Sequence, residues 1–123
     1  MVTKNEERRE YPRIKDKDIS VQIMGGGFDA LTQSLDVSAS GIYCKVKQRI
    51  PVMTRLQIVL ALPSKRKSVK PTILNIEGIV VREHPVMIDG NIAHYDVAIF
   101  FNTLLPKERD VLIEYINKKS VAS

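Results

Sequence analysis

A chain of 123 residues, 44% apolar and 27% charged, holds one compact domain with an ordinary core and leaves no room for a two-domain enzyme. Nineteen Lys and Arg against fourteen Asp and Glu give a formal charge of +5, which points to an anionic partner without choosing among nucleic acid, lipid headgroups and small phosphorylated ligands. Apolar stretches such as Ile58 to Leu62 fall far short of the roughly 20 residues of a membrane-spanning helix, and a single cysteine excludes an internal disulfide or a thiolate-rich metal site.

The N-terminus, MVTKNEERREYPR, is polar where a secretory signal carries an apolar run, so a cytoplasmic location is expected. Residues 1–17 mix charges of both signs and include Pro12, which reads as a flexible arm without a core face of its own. A single folded domain is expected over 18–123. Ile19, Val21 and Ile23 alternate with polar or small residues, as in a half-buried strand, and the glycines at 25, 26 and 27 turn the chain into a second strand over 28–36. After a turn at Ser38 to Gly41, Ile42, Cys44 and Val46 alternate with Tyr43, Lys45 and Lys47, which puts Cys44 in the core as an inert thiol.

Leu56, Ile58, Leu60 and Leu62 form a fourth alternating run, and PSKRKSVKP is a polar loop that reads as solvated or as a docking surface. The fifth and sixth strands are expected over 73–82 and 93–101, around a turn at Asp89 and Gly90. Six short strands at near-regular spacing predict a small antiparallel barrel, which hides its edges by closing. Pro106 suits a first helical turn, and Val111, Leu112, Tyr115 and Ile116 make an apolar stripe through Lys118 that packs on the barrel.

Enzymatic constellations are missing from the sequence. His84 and His94 have no carboxylate or thiolate at ligand spacing and read as surface or rim residues. The triple glycine lacks the Lys and Ser or Thr of a phosphate-cradling loop, and Ser38 and Ser40 are not in a nucleophile elbow. We therefore expect no enzyme, no cofactor and no metal. Two short constellations remain. Arg9 and Arg13 fall in RREYPR, where an extended chain separates them by at most about 13 to 14 Å of backbone and can set both on one side. Arginine suits such a place because its planar fork bonds bidentately to phosphate oxygens or to the O6 and N7 edge of guanine. In DVSASG, Asp36 and Ser38 project the same way from a strand end, and Gly41 permits a tight turn and close approach of a ligand to the backbone. Asp36 can accept from guanine N–H groups, and Ser38 can serve a phosphate or orient an arginine. The plainer reading of Asp36 and Ser38 is that they hydrogen-bond their own turn.

An RxxxR pair in an N-terminal arm, ahead of a DxSxxG element in a six-stranded barrel of this size, resembles the PilZ domain family. The likeness covers nearly the whole chain. It implies a split-barrel type of six-stranded antiparallel β-barrel with a C-terminal α-helix, and a receptor for cyclic di-GMP, two guanylates closed into a ring with two anionic phosphates. By that resemblance Arg9 and Arg13 clamp phosphate and guanine while Asp36, Ser38 and Gly41 form the opposite wall. Arg8, just before the first motif arginine, goes in similar proteins with capture of an intercalated pair of ligands, which implies a 2:1 stoichiometry. Ala98 in YDVAIFF stands where many relatives place glycine, a departure expected to bear on packing more than on the site. A downstream protein partner would read the ligand-induced change of surface.

Two other readings compete. Eight basic and no acidic residues between Lys45 and Lys70 make a patch for nucleic acid, but that stretch has no aromatic residue to stack a base. The other is a PilZ-like barrel turned into a ligand-free protein-interaction module, which degenerate motifs would mark; here both are intact. The arm over 1–18 holds six basic and five acidic residues, so the motif arginines stand out by placement and not by net charge.

Overall fold

In β1 (Ser20–Gly25) Val21 and Ile23 are fully buried, while Ser20 is exposed and Gln22 half-buried, so the alternation read in the sequence turns one side of the strand to the core. The computed structural model describes residues 14, 18–64 and 69–122. Gly26 and Gly27, at φ 58° and 84°, are the two left-handed residues of a tight hairpin turn, a backbone form that side chains resist. β2 (Phe28–Ser38) then runs back along β1 with Phe28 opposite Gly25.

β3 (Gly41–Val46), β4 (Arg55–Leu62), β5 (Thr72–Ile88) and β6 (Asn91–Thr103) complete a closed antiparallel barrel in the order β1-β2-β3-β6-β5-β4. The expected six-stranded barrel is thus observed, and closure gives every strand two neighbours along the barrel wall. The interior is aliphatic: Ile23, Val37, Ile58, Val80 and Ile99 are each no more than 1% exposed. Cys44 is buried among them, as its place in the alternation predicts.

β5 and β6 run longer than expected. They extend past Arg82 and start before Ala93, meeting in the Asp89–Gly90 turn, both residues left-handed at φ 52° and 81°. β4 pairs with β5 only as far as Ile79, so beyond the barrel the hairpin continues as a two-stranded ribbon. Pro85 is tolerated there because no third strand asks for an N–H.

Helix α1 (Pro106–Ala122) begins with Pro106, and the Leu105 N–H donates to the Glu108 carboxylate at 3.2 Å, one half of a capping box. Leu112 and Ile116, four apart, are buried in the same core as the strands, and Tyr115 packs at its margin. Val111, expected in that stripe, is exposed, and the helix continues past Lys118. Among the described residues no helix is long and apolar enough to cross a membrane.

Candidate functional site

The site is built where β2 changes face. Ser34 opposes Cys44 and Asp36 opposes Tyr43, which leaves Leu35 as an extra residue, a β-bulge. Buried Ser34 lies before the bulge on an even position and fully buried Val37 lies after it on an odd one. The shift sets Asp36 and Ser38 off the core side together, the common direction that their spacing predicts. Asp36 is half-buried there.

Ser38 is only 1% exposed. Its hydroxyl lies 3.0 Å from the Ser40 hydroxyl and accepts the Ser40 N–H at 3.3 Å. The Ser38 side chain thus shapes its own turn. The Ser40 carbonyl accepts from the Phe101 N–H at 2.9 Å, pinning the turn to β6. Gly41 packs tightly on β6. A Cβ on it would sit 2.6 Å from the Ile99 carbonyl oxygen, a backbone atom, so what comes close to Gly41 is strand β6.

Arg8, Arg9 and Arg13 lie outside the described residues. Their nearest described neighbour is Ile14, whose N–H donates to the Val37 carbonyl at 3.0 Å and whose carbonyl accepts the Val37 N–H at 2.9 Å. Ile14 also packs against the core. The residue directly after Arg13 is thus paired with the residue between Asp36 and Ser38.

Register extends the site across β3 and β6. Tyr43, opposite Asp36, is itself opposite Ala98; Gly41, opposite Ser38, is opposite Phe100. Neither Tyr43 nor Phe100 stood out in the sequence as a site residue, although alternation with Cys44 and Phe101 already turns both away from the core. Ala98 is half-buried, and its register row runs through Tyr43 to Asp36. One row further, Lys45 opposes Asp96, and His94 Nε2 lies 3.3 Å from an Asp96 carboxylate oxygen. His84 is exposed and His94 half-buried, as surface or rim residues should be, but Asp96 is a carboxylate partner that the sequence reading passed over. Burial, with the Asp96 carboxylate adding to it, pushes the Cys44 thiol up to about 12 from an ordinary 9.0, so it stays neutral and unreactive.

Of the basic stretch, Arg49 pairs with Glu83 at 3.1 Å, and residues 65–68 of the polar loop lie outside the described residues. A cavity of about 610 Å³ lies between α1 and the residues flanking that loop, with Leu62, Val69 and Tyr115 in its walls; among the described motif residues, none lines it.

A family model for the PilZ domain matches residues 7–118 of the chain. No curated protein matches at the sequence level. Among solved structures the chain is similar to the Bacillus subtilis inhibitor of motility MotI/DgrA, at TM-score 0.79 and 18% identity over 94% of this chain and 53% of that one. It is similar to the K. pneumonia MrkH–c-di-GMP complex at TM-score 0.70 and 18% identity, over 94% of this chain and 53% of that one. The PilZ domain with c-di-GMP of YcgR from Escherichia coli matches at TM-score 0.65 and 14% identity, over 94% of this chain and 95% of that one. The chain thus spans about half the length of the first two structures and nearly all of the isolated domain.

Proposed function

Because the chain belongs to the PilZ domain family, we propose that it is a non-enzymatic receptor for cyclic di-GMP, the ligand named in the MrkH and YcgR structures that it resembles. The observation that carries this reading is the Ile14–Val37 backbone pair, which ties the end of the RxxxR segment to the middle of DxSxxG. Arg9 and Arg13 bind phosphate and the guanine O6 and N7 edge through their planar forks. Asp36 accepts from guanine N–H groups. Ser38 and Gly41 hold the turn and the β3–β6 approach that set Asp36 in place. Arg8 supplies the further cation for a second, intercalated ligand, for a stoichiometry of two per chain.

Ligand held between the arginine segment and the barrel rebuilds the surface around Asp36, and a protein partner that prefers the rebuilt surface is recruited by it. Calorimetric titration of the full chain with cyclic di-GMP tests this reading. Saturable binding near two ligands per chain supports it in full, a ratio near one removes the role given to Arg8, and no binding rejects the receptor.

A further inference from the structure

The polar motif residues serve the edges and phosphates of a cyclic dinucleotide, and its flat base faces call for a stacking surface on the barrel beside the arginine forks and the second ligand. The register supplies one. On β3 and β6 the rows beside the motif read Tyr43 opposite Ala98 and Gly41 opposite Phe100. Each ring thus faces a β3 or β6 neighbour with little or no side chain, and Tyr43 and Phe100 stand on the diagonal, a separation of roughly 7–8 Å in an antiparallel pair. Phe100 is 47% exposed and Tyr43 is half-buried, so both rings are open to a ligand from the outer face of the barrel. Both rows lead directly into Asp36 and Ser38.

We infer that Tyr43 and Phe100 form a stacking floor for the guanine faces of the ligand, so that affinity rests on aromatic contact as well as on the arginines. The inference rests on the receptor reading above. A small residue at position 98 is what a flat base needs in order to lie against the rings, since a larger side chain there would fill the space beside Tyr43. Aromatic faces hold any base by stacking, and purines more firmly than pyrimidines because their π surface is larger.

The test is calorimetric titration of cyclic di-GMP into the unaltered chain and into Phe100→Leu, Tyr43→Leu, Phe100→Tyr and Asp36→Ala. The leucine variants keep apolar bulk and lose the ring; each is expected to bind about 5- to 150-fold more weakly. Phe100→Tyr keeps a ring and is expected to stay within a fewfold of the unaltered chain, which separates stacking from any loss of folding. Unaltered affinity in both leucine variants, with Asp36→Ala impaired, overturns the stacking floor and leaves the receptor standing. An unaltered chain that binds no cyclic di-GMP overturns both.

Discussion

Ile14 and Val37 exchange both of their backbone hydrogen bonds, at 3.0 and 2.9 Å, while Val37 keeps its side chain in the barrel core. A single bridge thus fixes Ile14 beside the DxSxxG strand through groups that every non-proline residue owns, and the Ile14 side chain, packed on the core margin, secures it.

Ile14→Ala removes that packing and leaves both motifs unchanged. Half-burial of an isoleucine is worth about 1 kcal/mol. Binding must then supply what the anchor no longer does, so affinity for cyclic di-GMP is expected to fall about fivefold, with the barrel intact by circular dichroism.

Asp36→Ala removes a carboxylate from the strand surface and disturbs no core contact. A hydrogen bond to a charged group contributes about 1.5–3 kcal/mol, so titration should show binding about 10- to 150-fold weaker, with the barrel intact by circular dichroism.

Gly41→Ala acts on the fold. The added methyl meets the Ile99 carbonyl at 2.6 Å and forces β3 from β6. Overpacking of this kind costs about 1–3 kcal/mol, to be read as a lower urea midpoint. An unshifted midpoint would show that the strand has room after all.

Much of the fold was legible because alternation is a local signal. Val21 and Ile23, Cys44 and Val46, and Leu56 to Leu62 face the core as their period-2 pattern requires. What stayed hidden depends on pairing. The bulge at Leu35 changes which residues of β2 face inward, and nothing in the local pattern marks it. The ribbon through Pro85 exists because β6 pairs there and β4 does not, a tertiary fact that outweighs proline's poor fit in strands. Ala98 and Phe100 belong to the site by register, four strands further along the chain than β2, so neither could be joined to Asp36 by spacing. The close packing of Gly41 on β6 likewise depends on pairing and has no local mark in the sequence.

Cys44 makes stability depend on alkaline pH. Its thiol is neutral in the native state up to about 12, whereas the unfolded thiol ionises near 9.0. Between these values unfolding releases a proton, so the native state loses stability as pH rises above about 9, and below that the group contributes no slope. Urea unfolding at pH 7 and pH 10 should show a loss about 1 kcal/mol larger in the unaltered chain than in Cys44→Ala. Equal losses would mean that the thiol ionises in place.

The most direct test of the central claim is a paired titration of cyclic di-GMP into the unaltered chain and into the Arg9→Ala, Arg13→Ala double variant. The account predicts saturable binding by the first and binding at least about 100-fold weaker by the second, two charge-assisted contacts having been lost. Equal affinity in the two proteins would contradict it.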